Sequence, residues 1–105
     1  MTETRATYNN DSQARGYKVI FALAGNELLG LLPGEIAKRV DAPPSAITRD
    51  LSVLQQAGIA EQIPETGRWR LGPRLVQIAL AFSHHLERAQ GRINEINQRY
   101  TRTPN

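Results

Sequence analysis

Between Val40 and Ser45 the chain reads Asp-Ala-Pro-Pro. Ala42 stands before Pro43, and Pro43 before Pro44, so each is biased out of the helical region by the ring that follows it. On both sides of this joint apolar residues recur at helical spacing. Ile36, Ala37 and Val40 do so before it; Ile47, Leu51 and Leu54 after it. Pro33 offers a start to the first run, and Glu35 sits near its positive end. Pro43 or Pro44 starts the second run, and Gly58 closes it. Two short helices therefore meet at a stiff corner and cannot fuse into one.

The second helix carries Ser45, Thr48, Arg49 and Ser52 on the edge opposite its apolar one. A tight joint between two short helices is the helix-turn-helix arrangement. The first helix crosses the phosphate backbone of DNA and the second enters the major groove. On that reading Pro44, Ser45, Thr48, Arg49 and Ser52 face DNA. Arg49 reaches a guanine or a phosphate. Lys38 and Arg39 point outward from the first helix toward phosphates.

Upstream, residues 1–13 are polar and read as a flexible arm, with Arg5 placed to touch a backbone or a minor groove. Tyr17, Ile20, Phe21 and Ala24 then mark a core helix, with Val19 and Leu23 widening the stripe and Gly25 and Asn26 ending it. Leu28 to Leu32, interrupted by Gly30, reads as a connector or a strand of one to three residues.

Downstream of Gly58, IAEQI, PETG and RWRLG form two alternating arms around a turn, the pattern of a β-hairpin. Ile59 and Ile63 are expected inside on the first arm. Leu71 is expected inside on the second because it precedes the next helix, with Trp69 covering the hairpin edge or another element. Arg68 and Arg70 project opposite Trp69, toward a minor groove or phosphates. Helix, helix, helix, hairpin is a winged helix-turn-helix, here over residues 14–72.

Pro73 opens the last element, expected over residues 73–100 with a tail at 101–105. Leu75, Ala79, Phe82, Leu86, Ala89, Ile93, Ile96 and Tyr100 occur at alternating steps of four and three, the seam of a coiled coil or bundle helix. Val76, Ile78 and Leu80 broaden its first turns, where it is expected to pack on the winged domain. Gly91 weakens it by about 1 kcal/mol relative to alanine. A monomer has little core against which to bury Ile93 and Ile96. A homodimer or higher homo-oligomer is the simplest solution, and a partner protein supplies the same surface in the other. The expected fold is mainly α with a small β-hairpin, a winged helix-turn-helix followed by a long C-terminal helix.

Composition narrows the function. Of 105 residues 40% are apolar and 22% charged, with no cysteine. Disulfides and thiolate metal sites are excluded, and a reducing, cytoplasmic setting fits. No signal peptide and no bilayer-spanning run is read, so no membrane partner is expected. Residues 1–72 carry eight Lys/Arg and eight Asp/Glu, so the net charge of +3 comes from residues 73–105. DNA binding then needs a local basic face. His84 and His85 are adjacent and point about 100° apart on a helix, which does not suit joint chelation. His85 lies nearer the seam and is expected partly packed, with His84 exposed. No metal, cofactor or catalytic set is expected.

The run from Leu32 to Leu75 resembles the DNA-binding domain of the IclR family of bacterial transcriptional regulators. The matching words are GEIAKRVDAPPSAITRDLSVLQQAGIAEQ and, more specifically, PETGRWRLGPRL. With helix one, the likeness covers residues 14–80. It implies dimeric binding to a promoter operator, with Ser45, Ala46, Thr48 and Arg49 as the base- and phosphate-facing set, Ala46 toward a thymine methyl, and Arg68 as a wing contact. Asp41 stands where a glycine is frequent, Pro44 replaces a usual polar residue, and Asp50 occupies a position usually apolar. Family members continue into an effector-binding domain, for which too little chain follows here. No small-molecule effector is inferred.

Two functions remain in view: sequence-specific double-stranded DNA binding by a homodimer, and a winged-helix protein-protein interaction or assembly module without specific DNA binding. The balanced charge of residues 1–72 leaves room for the second.

Overall fold

The computed structural model describes residues 8–101. Arg5 and residues 102–105 of the tail lie outside them. Three helices, α1 (Asp11–Leu23), α2 (Pro33–Val40) and α3 (Pro44–Gln56), build the body. The strands β1 (Ala60–Gln62) and β2 (Trp69–Leu71) follow, and then α4 (Pro73–Thr101). α1 begins inside the segment read as an arm because Asn10 caps it. The Asn10 side-chain carbonyl accepts the Gln13 N–H at 2.9 Å, satisfying one of the free donors of the first turn.

The joint forms as its prolines require. Pro43 stands outside α3 with extended backbone, and Pro44 takes a first-turn position where a missing N–H leaves no bond unmade. Asp41 closes α2 in the left-handed region at φ 59°, and the Ala42 N–H returns to the Ala37 carbonyl at 3.0 Å. Aspartate visits that region more readily than most side chains, so Asp41 fills a position that otherwise suits glycine.

The core joins Val19 and Leu23 of α1, Leu31 of the connector, Ile36 and Ala37 of α2, Ile47 and Leu51 of α3, Ala60 and Trp69. On α1 the stripe differs from the one expected. Val19 and Leu23 are fully buried, whereas Phe21 is 75% exposed and Tyr17 and Ala24 also face out. Two residues apart on a helix point nearly opposite ways. α1 is apolar on both sides, and the side that meets α2 and α3 also carries Arg15, one turn before Val19.

β1 and β2 pair antiparallel, with Ala60 opposite Leu71, Glu61 opposite Arg70 and Gln62 opposite Trp69. Leu31 adds a single bridge on the other side of β2, exchanging both backbone bonds with Trp69 at 2.9 and 2.8 Å. The Leu28–Leu32 segment is thus a one-residue strand. Gly30 permits this approach: its φ is +78°, and a Cβ there would lie 2.9 Å from the Trp69 carbonyl oxygen.

Trp69, not Leu71, is the deeper residue of the second arm. Two residues apart, they share a face of the strand. Trp69 is 8% exposed because Leu31 lies beside it, while Leu71 packs half-buried at the core margin. On the first arm Ala60 is buried, and Ile59 and Ile63 are only half so.

α4 is anchored at its start, where the Gly72 N–H bonds the Ile59 carbonyl at 2.6 Å and the Arg74 N–H the Gly58 carbonyl at 3.2 Å. It then leaves the body, and none of its residues is buried. Val76, Ile78 and Leu80 are therefore exposed, against the expectation that they pack on the winged domain. Among the described residues no helix is long and apolar enough to cross a membrane.

Candidate nucleic-acid interface

α3 divides cleanly. Ala46, Ile47, Asp50 and Leu51 are buried, and Pro44, Ser45, Thr48, Arg49 and Ser52 are exposed. Steps of three and four carry each set along one side of the helix. Ala46 corrects the sequence expectation. At 5% exposure its methyl cannot meet a thymine, because it lies one turn before Asp50 on the side that α1 covers.

On the outward edge the Thr48 hydroxyl donates to the Pro44 carbonyl at 3.1 Å, which leaves its oxygen free to accept. Arg49 makes no ion pair among the described residues. Lys38 and Arg39 are exposed in the last turn of α2 and likewise carry unpaired charge among the described residues. This edge offers two forked cations, Arg49 and Arg39, one compact cation, Lys38, and short hydroxyl groups. Such a set suits base edges and phosphates.

Beneath it lies a contact that sequence reasoning did not locate. Asp50 is 9% exposed, and its two oxygens take a fork from Arg15 of α1. The departure from an apolar residue at position 50 is thereby explained. The odd aspartate was visible in the sequence; its partner, distant along the chain, was not.

The wing is shaped by its tip. Gly67 turns at φ +76°, its N–H bonding the Ile63 carbonyl at 2.8 Å, and the Thr66 hydroxyl accepts the Arg68 N–H at 3.2 Å. Neither wing arginine is free in the way the sequence suggested. Arg70 pairs across the ladder with Glu61 at 3.2 Å, leaving both side chains over a third exposed. Arg68 turns back, its Nη1 donating to Glu35 at 3.0 Å and to the Gly30 carbonyl at 3.2 Å.

Glu35 has a second role that was missed. Its Oε1 also accepts the Leu32 N–H at 2.8 Å, capping α2. That bond holds its carboxyl below the usual range, partial desolvation opposes the shift, and the charges of Arg68 and Arg39 reinforce it. His84 and His85 are both exposed, so His85 is not packed as expected. Among the described residues no group of three or more His, Cys, Asp or Glu is placed to hold a metal.

Three helices, a two-stranded wing extended by one bridging residue and a polar outward edge on the second helix of the pair define a winged helix-turn-helix domain. No family model matches the chain. It is 40% identical over 53 residues to the HTH-type transcriptional regulator BhcR of Paracoccus denitrificans (strain Pd 1222), a match covering 50% of this chain and 19% of that protein. Among solved structures it is similar to Pseudomonas aeruginosa HmgR, with a TM-score of 0.61 at 29% identity over 69% of this chain and 29% of that one. An IclR homolog from Microbacterium sp. strain HM58-2 gives 0.62 at 26% identity, over 86% of this chain and 38% of that one. The chain is a winged helix-turn-helix domain resembling the IclR-family regulators. It spans only 19% to 38% of the length of these proteins.

Proposed function

We propose that this chain is a transcriptional regulator that binds double-stranded DNA sequence-specifically as a homodimer in the cytoplasm. The outward edge of α3 carries the reading, set on a stiff joint and opposite a fully buried edge. In a major groove Arg49 donates a fork to a guanine or a phosphate, and Ser45 and Thr48 make shorter hydrogen bonds. Pro44 and Ser52 border the contact. Lys38 and Arg39 position the body on phosphates, joined by Arg70 through the N–H groups that Glu61 leaves free. The likeness to BhcR, a protein named as an HTH-type transcriptional regulator, supports the same reading.

Residues 14–72 form the binding body, and residues 73–100 pair the copies. Along α4 the seam from Leu75 to Tyr100 leaves Phe82, Leu86, Ile93 and Ile96 about half exposed or more. Burial is worth about 25 cal/mol per Å² of apolar surface, so a second copy covering this seam is favoured.

The test is a titration on random duplex at 50 and 200 mM salt, followed by selection from a random library. Several phosphate contacts predict a steep loss of affinity with salt, by about 10³-fold or more for six or so contacts. Selected sites should be two-fold symmetric. One observation favours a second reading, an assembly module without specific DNA binding: both wing arginines are already paired with Glu35 and Glu61. That reading expects little duplex binding at either salt.

A further inference from the structure

The family likeness casts Arg68 as a wing contact to DNA, but its surroundings describe a different part. Its Nη1 meets Glu35 of α2 at 3.0 Å and the Gly30 carbonyl at 3.2 Å, joining three separate pieces of chain. Glu35 is fixed from the other side by the Leu32 N–H at 2.8 Å. Leu31, between these two backbone groups, exchanges both of its bonds with Trp69, the residue after Arg68. Gly30 closes the cluster so tightly that a Cβ there would lie 3.0 Å from the Arg68 Cβ. The Arg68 side chain is 27% exposed, less than that of Arg70.

We propose that Arg68 is a positioning residue: with Glu35 it pins the wing to the start of α2 and so sets the wing's angle against α3, and it makes no phosphate contact itself. The same carboxylate caps α2, so helix and wing share one anchor. The effect on DNA affinity rests on the function proposed above; the pin itself does not. A phosphate-seeking arginine and a pinned one respond oppositely to loss of Glu35. Removing the carboxylate liberates the first and unseats the second.

The experiment compares Arg68→Ala, Glu35→Gln and the double variant. Glutamine keeps an oxygen for the Leu32 N–H, so the α2 cap survives while the charge is lost. Trp69 is the chain's one tryptophan and reports on the wing through acrylamide quenching of its fluorescence. A pin predicts faster quenching in both single variants with no DNA present, and no further rise in the double. On duplex, both singles should weaken binding by about fivefold, with the double no weaker, and the slope of log affinity against log salt should stay unchanged. Tighter binding by Glu35→Gln, or a slope flattened by about one unit in Arg68→Ala, would make Arg68 a phosphate contact and overturn the proposal. Unchanged quenching in both singles would overturn it as well. Altered quenching in a protein that ignores every duplex would keep the pin and defeat the DNA-binding reading instead.

Discussion

Arg15 of α1 and Asp50 of α3 face each other as a two-bond fork, Nε to Oδ2 at 2.5 Å and Nη2 to Oδ1 at 2.9 Å. The pair fastens the inner side of the helix whose outer side is the proposed DNA-binding edge. A carboxylate this enclosed is costly once its partner is gone, because its charge then has neither water nor a cation. Arg15→Met should therefore lower the midpoint of thermal unfolding by on the order of 5–10 °C, and Asp50→Leu by less. Combining them replaces the pair with apolar groups and should recover most of the loss. Circular dichroism melts of the three variants test this. A double variant as unstable as Arg15→Met would mean that the strain lies in packing and not in a stranded charge.

Arg49 shares the helix with Asp50 but points the other way. Arg49→Ala should leave the melting midpoint nearly unchanged, since an exposed, unpaired side chain contributes little to folding. Affinity for a selected duplex should fall by about 1–3 kcal/mol if the guanidinium forks onto a base. Fluorescence titration measures it. An undiminished affinity would remove Arg49 from the interface.

These two neighbours also show what a sequence carries and what it does not. The joint at Pro43 and Pro44, the outward edge of α3 and the hairpin were legible because prolines, periodicity and turn residues act locally. The α1 stripe was misread because Tyr17, Phe21, Val19 and Leu23 are all apolar, and only packing against α2 and α3 selects a side. Trp69 was left between covering the hairpin edge and packing on another element, because the element that decides it, Leu31, lies 38 positions away. Ala46 was carried over from the family likeness with Ser45, yet one step around a helix turns a side chain by about 100°. Partners such as Asp50 for Arg15, or Glu35 for Arg68, depend on the tertiary fold and leave no local mark.

Glu35 gives the fold an acid-sensitive contribution. Its carboxyl sits below the usual range, chiefly through the Leu32 N–H and then through Arg68 and Arg39 against partial desolvation. A lowered value in the folded state means that the ionised form favours folding. The benefit is full above the unfolded value and drains away as the pH falls through the lowered one. The stability gap between the wild-type chain and Glu35→Gln should thus be widest near neutrality and close once the pH has fallen below the ordinary carboxylate range. Denaturant midpoints taken across that range test it. A gap that persists at the acid end would point to shape, not charge, as the cause.

The seam of α4 makes its own demand. Ile93 is 52% exposed on an unpartnered helix, far from the winged body along the chain. In the proposed dimer an aspartate there would meet its counterpart in the second copy, adding like charge to lost apolar burial. Ile93→Asp should shift the mass measured by sedimentation equilibrium from dimer to monomer. Trp69 fluorescence, which reports on the body, should stay as it was. A dimer that survives the change would be held by some other surface.

Two glycines should respond to alanine with opposite signs. Gly30 has φ +78° and faces the Trp69 carbonyl at a distance no Cβ tolerates, so Gly30→Ala adds both backbone strain and a collision with a strand that cannot move freely. A loss of about 2 kcal/mol or more is expected, since the left-handed region alone costs an L-residue about 1–2 kcal/mol. Gly91 lies within α4 with nothing within 4 Å of where its Cβ would stand. There the methyl only stiffens the unfolded chain and favours the helix, for a gain of about 0.5–1 kcal/mol. Denaturant unfolding at fixed protein concentration reads both, with Trp69 for the body and far-ultraviolet ellipticity for α4. If Gly91→Ala destabilised the paired chain, a second helix would have to approach α4 on the Gly91 side, and the seam through Ile93 and Ile96 would no longer be the contact that holds the copies together.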